Sequence, residues 1–516
     1  MAHPEHKPVL LLILDGWGLG PDPDNSAIEL ARTPTWDKLW AEYPRTRLVP
    51  HGTAVGLMQG QMGDSEVGHL NLGAGRVVYQ DLLKINRMIE RGELASHAKL
   101  NSFLREVAGG SSVLHFIGLF SDGGVHSHLN HLQALTALAQ QRGVGRIWIH
   151  ALLDGRDTRP RIAEGYFERF SEGMPPAARF ATLGGRYFGM DRDRRWERTQ
   201  KAWDAIVHAD ARRTTGWEAA MHTAREQDEG DEFVVPAVLG DYPGMEEGDG
   251  VLFFNFRADR MRQLAAALLL GDFNDFDRGS VPRVTVFSTR RYRDDFANDV
   301  LLENATVPQT INEVLSGRGL AVYKGAETEK YAHVTYFFNG GREAPWPGED
   351  SVLISSPRVA TYDLKPEMSV HELTERLATE LARPRHEFYV VNFANGDMVG
   401  HTGVRQACIE ACEAVDQCLK QVMDAAGWGS GVDVIVTADH GNCDVLTWPD
   451  GTPHTQHSMS EVPLVLAAEP RRQLKQPEEA AAQGREAWSL RDVAPTIMEL
   501  LGLAPPPDWT GVSLLA

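Results

Sequence analysis

The 516-residue chain carries 51 basic against 71 acidic residues, a formal charge of −20 that argues against nonspecific binding to nucleic acid or to an anionic membrane. Its hydrophobic (42%) and charged (24%) contents are those of a soluble globular protein. The length exceeds what one core organises, so two domains are expected.

In chain order, the first apolar run, Val9–Leu14, is too short for a signal peptide core or a transmembrane helix and ends at Asp15. A cytoplasmic location is expected. The stretch Gly52–Gly75 then holds seven glycines in 24 residues and has little helical or strand period. Glycine at that density permits tight turns and close backbone approach. At its centre Ser65 stands between Asp64 and Glu66, with His69 four residues on.

Further apolar runs follow at Val113–Phe120, Ile147–Leu153, Val251–Phe256, Val284–Phe287, Phe388–Phe393, Val434–Val436 and Pro463–Ala467. Each leads into a polar, often glycine-containing turn, as expected of buried strands in a mainly parallel α/β sheet covered by helices. Cys408, Cys412, Val415, Leu419 and Val422 recur at helical spacing, which makes Cys408 and Cys412 core residues. The four cysteines lack the spacing of a zinc knuckle or disulfide framework. Glu469–Glu486 reads as a loop, and Ser489 with Asp492 opens a last amphipathic helix through Val493, Ile497 and Leu500.

The residues just after the strands carry the chemistry. Asp15, then Asp122 with His126, then Asp154 with Arg156 and Asp157, follow three of them. Arg257 with Arg260, Asp397 with His401, and Asp439 with His440 follow three more. In open α/β sheets, ligands bind beyond the carboxyl ends of strands. Asp15, Asp397, His401, Asp439, His440 and His457 form an oxygen-and-nitrogen ligand set without thiolate, suited to Mn²⁺ or Zn²⁺. Six ligands exceed the needs of one open metal, and a metal pair points to phosphoryl or related transfer. Asp397 and His401 share a face only if Gly396 and Gly400 permit a helix. The middle third is rich in arginine instead: Arg156, Arg159, Arg186, Arg192, Arg257 and Arg260 suit carboxylate or phosphate. Arg194, Arg195 and Arg198 fit solvated salt bridges. Of the nearby histidines, His126 is the site residue expected, with His128 and His131 supporting or exposed.

The segments GDSEVGHLNLGAGRVVYQD, SDGGVHSH, LLDGRDT, GRYFGMDRDRRWER, FNFRADR, ETEKYAHVTYFFNGG, NFANGDMVGHTG and TADHGN, with LLILDGWG and LRDVAPTIMELLG at the two ends, resemble the ordered motifs of the cofactor-independent phosphoglycerate mutases. That family belongs to the alkaline phosphatase superfamily. The resemblance implies an alkaline-phosphatase-like, mixed and mainly parallel sheet domain formed by residues 1–79 and 306–516. It carries the metals and the serine. A second α/β domain, residues 80–305, is inserted as the substrate-binding unit.

Carried over by motif, the resemblance gives one Mn²⁺ to Asp397, His401 and His457, and a second to Asp15, Ser65, Asp439 and His440; other divalent metals remain open. His457 is chosen over His454 because it stands five residues before Val462-Pro463. His126, Arg156, Asp157, Arg186, Arg192, Arg257, Arg260 and Lys330 match substrate-contacting positions. The implied reaction interconverts 3- and 2-phosphoglycerate through phosphoserine on Ser65, without 2,3-bisphosphoglycerate. The metals and Lys330 counter phosphoryl charge, Arg257 and Arg260 clamp the phosphate, and Asp157 serves as acid and base. The implied partner is the small phosphoglycerate alone, on a monomer with no nucleic acid or membrane. Two departures stand out: Asp64 replaces the family's usual Asn, as a helix cap or an added charge, and SMSE follows His457 in place of a Thr-rich form. A plain phosphatase or sulfatase would not need the arginine-rich insert, and phosphopentomutase has a different nucleophile segment. A non-catalytic binding module leaves the ligand set unexplained.

Overall fold

The computed structural model describes residues 7–303 and 306–516. The chain divides into two compact units, one formed by Met1–Gln80 and Ala305–Ala516, the other by Asp81–Asn304. In chain order the described strands are β1 (Val9–Leu14), β2 (Arg45–Leu48), β3 (Val113–Phe120), β4 (Arg146–Leu153), β5 (Ala178–Gly185), β6 (Arg212–Thr214), β7 (Ala237–Leu239) and β8 (Gly250–Phe253). They continue with β9 (Thr285–Arg290), β10 (Asp299–Leu302), β11 (Val322–Glu327), β12 (Glu349–Ile354), β13 (Phe388–Phe393), β14 (Asp433–Thr437) and β15 (Val462–Ala467).

The first unit holds a seven-stranded sheet in the order β12-β11-β13-β1-β14-β15-β2. Its first five strands run parallel, and β15 alone runs against them, pairing antiparallel with β14 and with the edge strand β2. β1 is central because all six of its residues are aliphatic and none is more than 1% exposed. A strand buried on both faces needs such a continuous run, and each side chain removed from water contributes roughly 1.5–3 kcal/mol. The helix Arg405–Ala425 buries Cys408, Cys412, Val415, Leu419 and Val422 in the same core, and all four cysteines are buried and unpaired.

The second unit holds an eight-stranded sheet, β10-β9-β8-β3-β4-β5-β7-β6, parallel except for the β5–β7 pair. Both units are thus α/β with mainly parallel sheets. No described helix is long and apolar enough to cross a membrane.

The apolar runs all become strands, Val9–Leu14, Val113–Phe120 and Phe388–Phe393 with the expected ends and the others with shifted ones. The run through Phe256 leaves the sheet after Phe253, where Asn255 turns its Oδ1 to the Leu119 N–H at 2.8 Å. β9 instead continues past Phe287 through Ser288 and Thr289, whose hydroxyls donate to backbone carbonyls of Arg290 and Asn255. β11 carries no apolar signal, since Lys324 and Glu327 lie inside it. Both are buried, Lys324 against Glu349 at 2.8 Å. The polar segment 469–486 contains one short helix, Glu479–Ala482. The last helix, Val493–Leu500, is entered through a 3-10 turn in which Asp492 accepts from the Ser489 N–H at 2.9 Å.

Candidate active site

Four adjacent parallel strands, β11, β13, β1 and β14, deliver their carboxyl ends side by side. Lys330 follows β11 on the helix Thr328–Ala332, Asp397 follows β13, Asp15 follows β1, and Asp439 with His440 follow β14. Parallel pairing alone therefore gathers residues that lie hundreds of positions apart. Gly16 makes the approach close: its φ is +76°, and a Cβ there would stand 2.7 Å from the Asp397 backbone nitrogen.

Ser65 arrives by a different route. It is the first residue of the helix Ser65–Ala74, and the Asp64 side chain caps that helix by accepting from the Val67 N–H at 2.8 Å. Gly68, on the same helix, packs against Asp439; a Cβ there would lie 2.7 Å from the Asp439 Cβ. The result is a buried serine whose Oγ lies 2.8 Å from His440 Nε2, 3.3 Å from Asp15 Oδ1 and 2.6 Å from Lys330 Nζ.

Two groups of side chains in this unit have metal-ligand geometry. Asp397, His401 and His457 form one, and Asp15, Asp439 and His440 the other. In the first, His401 Nε2 and His457 Nε2 stand 3.2 and 3.1 Å from Asp397 Oδ1 and 3.1 Å from each other. Their Nδ1 atoms donate to the carbonyls of Thr455 and Gly63, at 2.9 and 2.8 Å. That assignment turns both Nε2 lone pairs inward, as a metal requires. The helix Asn395–Gly400 puts Asp397 and His401 on one face despite its glycines. His454 packs instead against the Trp448 ring, 4.2 Å away.

In the second group, Asp439 Oδ2 is buried, with His69 Nδ1 3.2 Å away but no well-directed hydrogen bond. A buried anionic oxygen so weakly satisfied is costly, and a divalent cation would satisfy it. The donor set of carboxylate, imidazole and hydroxyl oxygen suits a borderline or hard metal.

Burial and close charges shift the ionisation of these groups in opposite directions. Burial, and then the neighbouring Asp439 carboxylate, push the Asp15 carboxyl above its ordinary value. Burial opposes ionisation of Asp397 and Asp439 too, but Lys330 holds the first, and His440 with His69 the second, below the carboxylate range. Burial disfavours the Lys330 ammonium, yet Asp15, Asp397 and Asp439 together raise its pKa. His457 is pushed up to about 9 against burial by its contact with Asp397.

The second unit repeats the device. Its adjacent strands β8, β3, β4 and β5 run parallel and lead into Arg257, His126, Asp157 and Arg186 respectively. Arg186, 2% exposed at its side chain, donates to Asp154 Oδ1 at 2.8 Å and to Asp157 Oδ2 at 2.5 Å. His126 Nε2 lies 3.6 Å from Asp157 Oδ2, and burial with the Arg186 charge brings His126 down to about 4. Arg192 and Arg257 converge on Asp259 at 3.2 and 3.3 Å, and Arg260 donates to the Met190 carbonyl at 3.2 Å. Arg156 is more exposed and pairs with Glu232 at 3.6 Å; Arg159 is exposed. Arg195 and Arg198 face Asp191 at 3.6 and 3.7 Å, but Asp191 is buried, so these are not the solvated surface pairs expected. Asp122 is taken by Tyr166 and Arg169, and His131 is buried against Asn86 at 2.7 Å.

Sequence reasoning missed several residues of these clusters. Asp259 sits inside the Arg257–Arg260 motif and lies 3.5 Å from His126 Nδ1. Asn442 donates to Asp397 Oδ1 at 2.8 Å, and Asn392 to Asp15 Oδ2 at 2.7 Å. The only sequence signal for Asn392 is an amide within the otherwise apolar run FYVVNF.

Residues 7–505 match the family model described as the Metalloenzyme superfamily. The 2,3-bisphosphoglycerate-independent phosphoglycerate mutase of Symbiobacterium thermophilum is 46% identical, over 99% of this chain and 98% of that protein. The protein of the same name from Gluconobacter oxydans is 45% identical, over 99% and 98%. Among solved structures, a crystal structure of Leishmania mexicana phosphoglycerate mutase at low cobalt concentration is 34% identical with a TM-score of 0.65, covering 100% of this chain and 99% of that one. Two clusters of ionisable side chains at parallel strand ends, one with metal-ligand geometry, stand on a chain matched end to end by these relatives: it belongs to the 2,3-bisphosphoglycerate-independent phosphoglycerate mutases, a family of isomerases within the Metalloenzyme superfamily.

Proposed function

We propose that this chain interconverts 3-phosphoglycerate and 2-phosphoglycerate through a phosphoserine on Ser65, without 2,3-bisphosphoglycerate. The observation that carries the reading is the setting of Ser65 Oγ, within 3.3 Å of an imidazole, a carboxylate and an ammonium on three separate strand ends. Asp15, Ser65, Asp439 and His440 would hold one divalent metal, and Asp397, His401 and His457 another, Mn²⁺ being the ion the family resemblance implies. Bound there, such ions supply Lewis-acid stabilisation of phosphoryl charge and lower the serine hydroxyl's pKa.

The remaining work falls to the chain's own residues. Lys330 holds a positive charge 2.6 Å from Ser65 Oγ, where a transferring phosphoryl group spreads its charge. The Asp64 cap and the Gly68 contact fix the helix start, so that Ser65 attacks from a preset position. In the second unit, Arg192, Arg257 and Arg260 offer guanidinium groups to the substrate's phosphate or carboxylate. Asp157, held by Arg186, is the acid and base assigned to the glycerate hydroxyls. Glycerate retained by that cluster then takes the phosphoryl group back on its other hydroxyl.

The test is 3-phosphoglycerate conversion in an enolase-coupled assay free of 2,3-bisphosphoglycerate. Chelation should abolish the activity and Mn²⁺ should restore it. Ser65→Ala should remove it under every condition. Full activity in the chelated chain, or in Ser65→Ala, would overturn the reading.

A further inference from the structure

Asn392 is the penultimate residue of β13, paired in register with Ile13 of β1, and is fully buried. It brings no structural gain of its own there, since its Oδ1 is buried and accepts no hydrogen bond. Its Nδ2 is fully used: it donates to Asp15 Oδ2 at 2.7 Å and meets His69 Nε2 at 3.0 Å. Turned over, the amide would present Oδ1 to Asp15 and give up both contacts that Nδ2 makes.

That orientation decides the tautomer of His69. A ring nitrogen that faces an amide N–H must offer its lone pair, so Nε2 is bare and the proton sits on Nδ1. His69 Nδ1 lies 2.9 Å from the Ser65 carbonyl oxygen and 3.2 Å from Asp439 Oδ2. Its N–H therefore donates to the backbone of the nucleophile with the Asp439 carboxylate alongside. The ring is fully buried and packs against His333 at 5.4 Å, so it has no room to turn.

We infer that Asn392 is a positioning residue: through its two amide hydrogens it holds Asp15 directly and, by setting the His69 tautomer, holds the Ser65 backbone and keeps the His69 N–H beside Asp439. A single side chain thereby sets the spacing of the carboxylate pair and of the serine between them. Among the described residues, Asn392 makes no hydrogen bond with Asp397, His401 or His457. Partners that orient ligands in this way typically change metal affinity 10–100-fold when removed.

The inference takes its metal group from the reading above, and the test keeps the two apart. Histidine-labelled wild-type chain is examined by long-range proton–nitrogen correlation, with the His69 signals identified by their loss in His69→Gln. Nδ1 should be the protonated nitrogen. In parallel, Mn²⁺ is titrated into the full chain and followed by electron paramagnetic resonance. Asn392→Leu should weaken one class of Mn²⁺ site about tenfold or more and leave the other within about twofold. Asn392→Leu combined with His69→Phe should be no weaker than the worse single variant, because both break one linkage. An Nε2-protonated His69 in the wild type, unchanged Mn²⁺ affinities in Asn392→Leu, or losses that multiply in the double variant would each overturn the inference. A wild-type chain that binds no Mn²⁺ would sink the metal reading instead.

Discussion

Lys330 Nζ lies 2.6 Å from Ser65 Oγ, although the two residues come from a helix after one strand and the start of a helix far earlier in the chain. The same ammonium reaches Asp15 Oδ1 at 2.8 Å and Asp397 Oδ2 at 2.6 Å. It therefore touches the serine and one carboxylate of each metal-ligand group. Lys330→Met keeps the volume of the stem and removes the charge. It should lower kcat by about 10²–10³, the usual effect of deleting one preorganised charge partner. The enolase-coupled assay at saturating Mn²⁺ measures this, and a loss below tenfold would remove Lys330 from the charge-stabilising role.

Asp64 accepts from the Val67 N–H at 2.8 Å, so its structural contribution is a helix cap. Asp64→Ala should cost about 1 kcal/mol in denaturant unfolding, whereas Asp64→Asn keeps an acceptor and should cost only a few tenths. Mn²⁺ affinity should be the same in Asp64→Asn as in the wild type. An affinity that falls in Asp64→Asn at unchanged stability would identify the carboxylate as an electrostatic contributor instead.

Glu327, fully buried at the end of β11, has its carboxyl raised to about 7 by burial, against hydrogen bonds from the Ser356 hydroxyl and the Ser369 N–H. The folded pKa exceeds the unfolded one, so the folded chain holds this proton where the unfolded chain has released it. The stabilisation is complete below pH 4.5 and is lost as pH rises to about 7. Two to three pKa units correspond to about 3 kcal/mol. Glu327→Gln should match the wild type at pH 5 and exceed its stability at pH 8, by denaturant unfolding at both values. A pH-independent difference would show that Glu327 is ionised throughout.

Asp157→Asn tests the division of labour between the units. Arg186 retains Asp154 at 2.8 Å, so the variant keeps that buried guanidinium paired. Ser65 and its hydrogen-bond partners Asp15, His440 and Lys330 belong to the first unit, so its phosphorylation should be spared. Glycerate would be poorly deprotonated, and water would take the phosphoryl group. Phosphate released per 2-phosphoglycerate formed should rise several-fold, read by a colorimetric phosphate assay beside the coupled one. If both products fall in equal proportion, the second unit is needed for phosphorylation itself.

The sequence by itself determined the α/β class and most of the central strands. Runs such as VLLLIL and FYVVNF have no other stable place than a sheet covered on both faces. It also marked the chemistry, because Asp15, Asp397, Asp439 and His440 directly follow such runs and strand ends are where an open sheet binds ligands. β11 stayed hidden, because its Lys324 and Glu327 are polar and only burial against Glu349, Ser356 and Ser369 makes them strand residues. Tertiary structure alone decided which residues meet. The order β11-β13-β1-β14 is set by packing among strands far apart in the chain, and that order places Lys330 against Ser65. His69 and Asn392 were illegible for the same reason: a histidine on a helix and an amide in a strand acquire direction only when parallel pairing puts Asp15 within 2.7 Å of the amide.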